Sequence, residues 1–495
     1  DGPEWIGVNP KTGAVYVHTK NRLVKYSGWK KPEEQASIDL APFYKGLYSW
    51  RKDRQRFSFA IDASGDQPIL WIGQTMKTPA LQFCKDSGTT FNPMKPAGNF
   101  ISSRHERPAS DPLHKKILCK FGVSVQILDE KTGTITKVRP ERGKGNNQGT
   151  THRLDREGNI YCASASGGVW KCDPKGKRIP FPATAEDPKL KGHIPGGSTG
   201  TTAWERDFYI DRKGDIYAKV RGTSYHGLMH VDVFGPDGTK KHTALWGVTD
   251  GSYGPRVDPQ GNIYMMECIK PVGQPFPDVF KPFTADRMVH HWYDWIYGSI
   301  VKFSPAGGNI WLNTRRKEDK PGAEPVKLPD SFKKEKIYAT FRSGESLMQG
   351  ALWYKPGVAH CGDMGVCGGG NHCHCTGCDF DVDNFGRSFA PDNGRQRVTV
   401  FDTNGNTVLH FGAYGNQDYC GPDSYVMDPK GKFLRPRIKD DPKDVVSPFA
   451  KPEIAFNFII GLAVTDRYAY VADCANRRML RCSLGYAAEE ICSIK

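Results

Sequence analysis

One short unit recurs along the chain and constrains its fold more than any other feature. The unit consists of an apolar residue, Asp, two or three turn residues, Gly, a polar residue and then an apolar or aromatic run. Its four fullest copies begin at Leu154, Ile210, Val257 and Val382. Weaker copies begin at Val8, Ile61 and Val464, and the last of these lacks the Gly. Seven copies of one unit indicate a repeat architecture.

The chemistry of the unit predicts a hairpin. Asp at the start of a turn accepts hydrogen bonds from nearby backbone amides, and Gly supplies the positive φ that the turn needs. The following Ile-Tyr run is β-branched and aromatic, which favours a strand. A second turn often follows, as in Asp173–Gly176, Gly235–Gly238, Ser304–Gly307 and Asp402–Gly405. Two hairpins make a four-stranded antiparallel blade, so the sequence predicts an all-β protein, a β-propeller of seven blades with six or eight as alternatives.

Two stretches carry a second pattern, in which an Asp is followed by Asn or Gly, then Arg, then a strand. They are Phe389–Asp392 continuing through Arg395 to Asp402, and Val471–Asp473 continuing through Asn476 to Met479. This pattern resembles the NHL-repeat β-propeller family. The resemblance implies a propeller fold in which this Asp and Arg are structural and tie adjacent strands, and it implies no activity.

The spacing of the units predicts where the chain departs from the repeat. Asp62 and Asp155 are 93 residues apart, and Asp258 and Asp383 are 125 apart. These gaps hold either degenerate blades or long insertions. We expect one propeller over residues 1–495 with insertions at about 85–115, 270–299 and 355–380, the second containing a short helix near Thr284 to Trp295. Long loops on a rigid scaffold are common places for function.

The densest set of metal-ligand side chains lies in the third of these insertions. It comprises His360, Cys361, Cys367, His372, Cys373, His374, Cys375 and Cys378. Thiolate and imidazole ligands together suit zinc or copper. The alternative is a loop stapled by disulfides, with one of the five Cys bonding elsewhere. No Cys-x-x-Cys-His motif occurs in the sequence, so covalent c-type haem is not expected.

Other His and Cys residues give weaker signals. His290, His291 and Tyr293 lie in an aromatic-rich segment and are candidates for acid–base or metal chemistry, the alternative being an insertion that packs on a blade. His226 and His230 have i,i+4 spacing, but their surroundings predict strand and turn. The pairs Cys162 with Cys172, and Cys474 with Cys482, flank hairpins and fit cross-hairpin disulfides, with buried thiols as the alternative.

Cysteine content and charge bound the location and partners of the protein. Fourteen Cys favour an oxidising compartment, and a chain that begins at Asp1 indicates N-terminal processing, so we expect a secreted or periplasmic protein. No apolar run approaches the ~20 residues of a transmembrane segment.

The net charge of +15 attracts anionic polymers or acidic proteins. Nucleic acid is not an expected partner because no basic cluster is interleaved with aromatic residues.

Three functions remain open at this point. The first is an exported binding or scaffold module for an anionic glycan or an acidic protein subunit, whose Cys/His-rich loop is disulfide-bonded or metal-binding. The second is a zinc- or copper-dependent enzyme, a polysaccharide lyase or an oxidoreductase, with its site at the channel mouth. The third is a non-catalytic subunit of a larger redox complex.

Overall fold

The computed structural model describes residues 5–9, 12–18, 22–28, 31–39, 57–62, 69–74, 82–86, 91–94, 108–111, 115–121, 124–141, 148–164, 168–195, 208–221, 228–248, 252–275, 298–312, 323–339, 344–358, 378–415, 454–473 and 478–485. Within these ranges the protein is built almost entirely from β-strands, and its one helical element is the 3₁₀ turn Pro182–Thr184. None of the described segments forms a helix long and apolar enough to cross a lipid bilayer.

Two four-stranded antiparallel sheets make up the N-terminal part. The first contains β1 (Trp5–Val8), β2 (Val15–His18), β3 (Arg22–Tyr26) and β4 (Glu34–Asp39). The second contains β5 (Phe57–Asp62), β6 (Ile69–Gln74), β7 (Gln82–Asp86) and β8 (Phe91–Met94). In each sheet, strands that follow one another in sequence are hydrogen-bonded neighbours. The two sheets pack together through β1 with β5 and β4 with β8.

Three sheets that we call blades 1 to 3 follow with the same meander topology. Blade 1 contains β9 (Ala109–Asp111), β10 (Lys116–Phe121), β11 (Ser124–Asp129) and β12 (Ile135–Val138). Blade 2 contains β13 (Gln148–Leu154), β14 (Ile160–Ser164), β15 (Val169–Cys172) and β16 (Arg178–Ile179). Blade 3 contains β17 (Phe208–Ile210), β18 (Ile216–Arg221), β19 (Met229–Phe234) and β20 (Lys240–Val248).

Blades 4 to 6 complete the series. Blade 4 contains β21 (Tyr253–Val257), β22 (Ile263–Glu267), β24 (Gly298–Phe303) and β28 (Ala351–Val358). The strands β23 (Ile269–Pro271), β25 (Gly308–Asn309), β26 (Lys334–Ala339) and β27 (Gly344–Gln349) lie between its members in sequence. Blade 5 contains β29 (Asp381–Val382), β30 (Ser388–Asp392), β31 (Arg397–Phe401) and β32 (Thr407–Phe411). After the short parallel pair β33 (Ala413–Tyr414) and β34 (Ala455–Phe456), blade 6 contains β35 (Ile459–Val464), β36 (Tyr468–Asp473) and β37 (Arg478–Ser483).

The innermost strands show that blades 1 to 6 form a closed ring. The strands β9, β13, β17, β21, β29 and β35 each pack against the next, and β35 packs against β9. Apolar side chains fill each junction between neighbouring blades. Examples are Trp170 between blades 1 and 2, Tyr161 between blades 2 and 3, and Ile117 with Ala463 at the junction of blades 6 and 1. The predicted β-propeller fold is therefore confirmed, because radial sheets that close in this way bury both faces.

Six sheets of the described residues close the ring, whereas the sequence units favour seven blades with six or eight as alternatives, and the blade number of the whole chain stays a prediction. The units at Asn9 and Asp62 begin the first hairpins of the two N-terminal sheets, and the other five begin hairpins of blades 2 to 6. Blade 1 escaped the count because the residues after Asp111 are Pro-Leu-His-Lys and contain no Gly. Lys115 adopts φ +53° there, a left-handed conformation that Gly favours at the equivalent point of other turns.

The chain leaves the repeat between β24 and β28. The strands β25, β27, β26 and β23 join in that order to the edge of blade 3, which becomes part of an eight-stranded sheet. The described strands β8 and β9 lie in the first predicted insertion, and β23 lies in the second. Most of the third insertion and the predicted helix lie outside the described residues. The domain boundaries therefore stay a prediction.

The predicted structural role of Asp and Arg in the NHL-like stretch is visible in blade 5. Asp392 ends β30, and its Oδ2 accepts hydrogen bonds from Arg397 Nε and Arg395 Nη1, both at 3.0 Å. Arg397 begins β31, so the bond ties two adjacent strands. In the second stretch, Asp473 Oδ1 accepts from the backbone amide of Phe458 at 3.0 Å. Both Asp side chains are buried and serve the fold.

Candidate functional site

A cavity of about 320 Å³ lies where the inner strands of five blades end. Its lining combines charged and polar side chains with apolar residues from the strand ends: Asp111, Leu154, Asp155, Arg156, Tyr209, Ile210, Asp211, Arg212, Val257, Pro259, Val382, Asp383 and Asn384. Because these residues come from blades 1 to 5, the cavity lies on the axis of the ring. We call it the axial cavity.

Four turns with the same hydrogen-bond pattern surround this end of the ring. Asp155, Asp211, Asp258 and Asp383 each use Oδ1 to accept backbone N–H groups two and four residues later, at 2.8–3.1 Å. The Gly of each unit has positive φ, as the sequence predicted. The turns position the residue after each Asp, which is Arg156, Arg212, Pro259 or Asn384, next to the cavity.

A buried ion-pair network lies one step further along the inner strands. Arg256 on β21 is 1 % exposed, and its Nη2 donates to both carboxylate oxygens of Asp379 at 2.8 Å. Its Nε donates to Asp381 Oδ1 at 3.2 Å. Since a buried charge is tolerated only with close partners, removing either partner of such a pair is strongly destabilising.

Asp381 extends this network to two more blades. Its Oδ2 accepts a hydrogen bond from Ser110 Oγ on β9 and another from the backbone amide of Val464 on β35, at 2.8 Å for the latter. Blades 1, 4, 5 and 6 are thus joined through one carboxylate. These polar groups are satisfied by one another, which indicates that the network stabilises the ring.

Tyr209 connects the network to the cavity. It lines the cavity, and burial together with the nearby charge of Asp381 raises the pKa of Tyr209 to about 12. The Arg153 guanidinium lies 6.0 Å from the centre of its ring. Tyr209 is therefore a neutral phenol at physiological pH, suited to hydrogen bonding and to packing against a ligand.

Side chains from three blades form a chain of hydrogen bonds at the rim of the cavity. Arg212 Nη2 donates to Asn384 Oδ1 at 2.7 Å, although the two residues belong to blades 3 and 5. Asn384 Nδ2 in turn donates to Asp466 Oδ1 of blade 6 at 2.8 Å. Arg212 thus reaches past blade 4, and this exposed guanidinium is held by a neutral acceptor.

The second carboxylate oxygen of the turn Asp is occupied in three of the four turns. Asp155 Oδ2 accepts from Asn159 Nδ2 at 2.9 Å and lies 3.1 Å from Lys171 Nζ. Asp258 Oδ2 has the equivalent Asn262 at 2.8 Å and also accepts from the hydroxyl of Tyr264 at 3.0 Å. Asp383 Oδ2 accepts from Arg387 Nε at 2.6 Å. These contacts neutralise the carboxylates internally.

Asp211 differs from the other three. The residue four positions later is Asp215, which cannot replace the donors Asn159, Asn262 and Arg387. The strand neighbour of Tyr217 is Val233, where the equivalent neighbour of Tyr161 is Lys171. Within the described part of the chain, Asp211 Oδ2 consequently accepts no hydrogen bond, and burial raises the pKa of Asp211 above its ordinary value. An acceptor oxygen is therefore available beside Arg212.

Most of the sequence-predicted site residues lie outside the described ranges. These are His290, His291, Tyr293, His360, Cys361, Cys367, His372, Cys373, His374 and Cys375, and their roles stay predictions. Cys378 is described: it is buried next to β29, and its Sγ accepts a hydrogen bond from Asn393 Nδ2 at 2.9 Å. No three His, Cys, Asp or Glu side chains in the described ranges are grouped to hold a metal ion.

The weaker sequence candidates are placed as follows. His230 lies within β19, where its Nε2 is 3.2 Å from Asp232 Oδ2, and its predicted companion His226 is outside the described ranges. Cys162 and Cys172 are buried free thiols at one blade junction. The structure therefore contains the buried thiols that the sequence offered as the alternative to a disulfide. Cys482 is buried in blade 6, and its predicted partner Cys474 lies outside the described ranges.

The axial residues were missed by sequence reasoning, although a signal for them exists. Arg153, Tyr209, Arg256 and Asp381 each precede the turn Asp of their unit by two positions. Residues two apart on a strand share a face. A strand that is buried on both faces normally carries apolar side chains. Polar side chains at this position of successive units therefore indicate that the axis of the ring is polar.

Comparison with known proteins yields similar folds only. No protein-family model and no curated protein matches the chain. Among solved structures, the chain resembles a regucalcin described as a calcium-binding protein from Agrobacterium tumefaciens, with 11 % identity over 74 % of this chain and 80 % of that one, at a TM-score of 0.33. Virginiamycin B lyase from Staphylococcus aureus shows 8 % identity over 96 % and 92 %, at a TM-score of 0.31.

PorZ of Porphyromonas gingivalis, described as a surface component of the type-IX secretion system, is a third similar structure. Its identity is 9 %, and the match covers 94 % of this chain and 56 % of that chain at a TM-score of 0.34. Similarities of this size carry no argument about activity. The assignment as a propeller rests on the sheets and on the closed contacts of their inner strands, and membership of the NHL family stays a prediction.

Proposed function

We propose that this propeller is an exported binding module whose partner is anionic, either an acidic glycan or an acidic protein subunit. The observation that carries the proposal is the net charge of +15, combined with exposure of the densest described basic run. Lys333, Lys334 and Lys336 are all exposed at the start of β26, on the sheet that extends blade 3. An excess of exposed cations attracts polyanions at long range.

The interior charges support a binding role. Arg256, Asp379 and Asp381 are fully engaged with one another or with neighbouring blades. These charges join neighbouring blades, so that among the described residues the exposed lysines and the rim of the axial cavity remain to meet a partner.

Binding to an immobilised polyanion tests the proposal. The protein is applied to polygalacturonate and to neutral dextran at increasing salt concentration. We expect retention on polygalacturonate only, weakening as salt screens the charges. Equal behaviour on both matrices, or retention that salt does not alter, would contradict the proposal.

A matched pair of double variants locates the interaction. Lys334→Gln with Lys336→Gln removes two charges from one side of β26, and Lys175→Gln with Lys177→Gln removes two exposed charges from the second turn of blade 2. We expect the first pair to weaken polyanion binding by about threefold more than the second, since a local contact is lost as well as net charge. Equal losses would mean that only total charge matters.

The Cys/His-rich loop belongs to the same proposal as a structural element that is disulfide-bonded or binds zinc or copper. Metal analysis combined with thiol titration of the native protein separates these two states. One equivalent of zinc or copper with free thiols after denaturation supports the metal, and oxidised cysteines without metal support the disulfides. Reduced cysteines without metal would contradict both.

A further inference from the structure

We infer that the axial cavity binds a uronate unit of an acidic glycan, with Arg212 receiving the carboxylate and Asp211 receiving an adjacent hydroxyl. This inference rests on the proposed function and selects one of its two partner classes. It is carried by two features: the exposed guanidinium of Arg212 at the rim of the cavity, and the second carboxylate oxygen of Asp211, which accepts no hydrogen bond from the described residues.

Arg212 is suited to exchange its present partner for a carboxylate. Its Nη2 donates one hydrogen bond to the neutral amide oxygen of Asn384. Guanidinium and carboxylate form two parallel hydrogen bonds between charged groups, whereas the present bond of Arg212 is single and has an uncharged acceptor. A ligand carboxylate therefore displaces Asn384 with a gain, whereas the buried Arg256 already donates to the carboxylates of Asp379 and Asp381 and cannot make such an exchange.

Asp211 supplies the second contact. Its Oδ1 is held by the amides of Lys213 and Asp215, which fixes the carboxylate beside Arg212, while Oδ2 accepts nothing from the described residues. A donor and an acceptor on consecutive residues match a ligand that presents an anionic group next to a hydroxyl. A hexuronate has this arrangement, because its carboxylate is attached to a ring that carries hydroxyl groups.

The rest of the cavity agrees with a sugar. Its volume of about 320 Å³ lies at the low end of the ~300–1,000 Å³ of small-molecule sites, which suits one or two sugar units rather than a protein segment. Tyr209 and the side chains of Leu154 and Val257 provide apolar surface for the C–H face of a ring.

Two of the three other acidic residues of the lining are neutralised by a basic partner, and the third, Asp111, is buried at the end of β9. Asp155 is paired with Lys171, and Asp383 is paired with Arg387. Arg156, exposed at the same rim, adds a second positive charge near the entrance. Among the four turns, Asp211 is therefore the residue whose second carboxylate oxygen accepts no hydrogen bond from the described residues.

Calorimetric titration with digalacturonate tests the inference, with the neutral disaccharide galactobiose as the matched ligand. We expect the intact protein to bind digalacturonate and not galactobiose. Arg212→Gln should weaken binding by about tenfold or more, and Arg212→Lys by about fivefold, because lysine keeps the charge but lacks the planar fork. Asp211→Asn should weaken it by about threefold, the loss of one modest hydrogen bond.

Lys213→Gln is the control, because it removes an exposed charge one residue away and leaves the backbone amide that holds Asp211. We expect its affinity to stay within about twofold of the unchanged protein, as for a rim charge. Equal affinity of Arg212→Gln and the unchanged protein would overturn the inference, as would an equal loss in Lys213→Gln. Circular dichroism and thermal melting establish folding, and Arg212→Lys decides the question if Arg212→Gln does not fold.

Retention on immobilised polygalacturonate, measured with the same preparations, separates the two proposals. If the polymer binds and the disaccharide does not, the cavity assignment is wrong and the proposed function stands. If neither binds, both are wrong. If free galacturonate competes as well as digalacturonate does, one uronate unit accounts for the binding, as the inference states.

Discussion

The turns at Asp155 and Asp211 have the same backbone and opposite electrostatics. Both carboxylates are partly buried, and burial acts to raise both pKa values. For Asp155, hydrogen bonds from Asn159 and the charge of Lys171 outweigh burial and hold the pKa below its ordinary value. For Asp211 the turn amides alone do not offset burial, and the pKa is raised.

This difference shows how one repeat unit can serve two purposes. In blade 2 the Asp, Asn and Lys complete a closed set of contacts, so that the turn adds stability. In blade 3 the replacement of Asn by Asp215 and of Lys by Val233 leaves the Asp incompletely satisfied. We propose that this departure from the repeat adapts the Asp211 turn to binding, and substitutions at the two turns test the contrast.

The largest expected effect comes from removing the partner of Asp155. Lys171→Met leaves a carboxylate that is 6 % exposed without its ion-pair partner. We expect the free energy of unfolding to fall by about 2–3 kcal/mol in urea titrations, somewhat less than for a fully buried pair. Lys175→Met, an exposed change in the next turn of the same blade, should stay within ~0.5 kcal/mol. Equal losses in the two variants would show that the pair adds nothing specific.

The next effect is a pH dependence of opposite sign at the two turns. A lowered folded-state pKa gives stability that is present above the unfolded-state pKa and lost as the pH falls through the folded value. Asp155→Asn should therefore be less stable than the unchanged protein at pH 7, by about 1–2 kcal/mol, and the difference should shrink on acidification.

For Asp211 the sign is reversed. A raised pKa gives stability that is present below the unfolded-state pKa and lost as the pH rises through the folded value. Asp211→Asn should thus be more stable than the unchanged protein at pH 7, by up to about 1 kcal/mol, and the difference should vanish as the pH falls to about 3, where the carboxyl is largely protonated in both states. Melting temperatures measured from pH 3 to 8 check both variants, and parallel curves would contradict the contrast.

A hydrogen-bond donor at position 215 should make the Asp211 turn behave like the Asp155 turn. Asp215→Asn supplies an amide at the position from which Asn159 donates to Asp155. We expect a gain of about 0.5–1 kcal/mol in unfolding free energy, together with weaker digalacturonate binding because Asp211 Oδ2 becomes occupied. Asp215→Ala removes the same charge without adding a donor and should show no such gain. If both variants behave alike, the new hydrogen bond does not form.

The smallest effect is expected at the surface partner of Asp215. Lys241 Nζ contacts both oxygens of Asp215 at 2.6 and 2.7 Å, but the lysine side chain is 46 % exposed. Lys241→Gln should therefore change the unfolding free energy by less than ~1 kcal/mol, as exposed ion pairs do. A larger loss would mean that this pair, rather than the missing donor, distinguishes the Asp211 turn.

Sequence reasoning predicted the fold correctly, whereas its site residues stay predictions. It found the turns because Asp, Gly and a β-branched strand act within a few residues of one another. It missed blade 1, where Lys115 takes the left-handed position in a turn without Gly. It favoured histidines and cysteines as the site because their chemistry is conspicuous, and these lie mostly outside the described residues. It passed over Arg212 because a single arginine in a turn gives no local sign of its partner.

The sequence alone determined that the chain consists of β-hairpins with Asp-capped turns, since those bonds connect residues two and four positions apart. Tertiary structure decided that the described blades close into a ring through β9 and β35, and that Arg212 meets Asn384, 172 residues away. The physical reason is the range of the interactions. Hairpin geometry is set by neighbouring residues, whereas ring closure and the axial cavity depend on how blades distant in sequence pack around one axis.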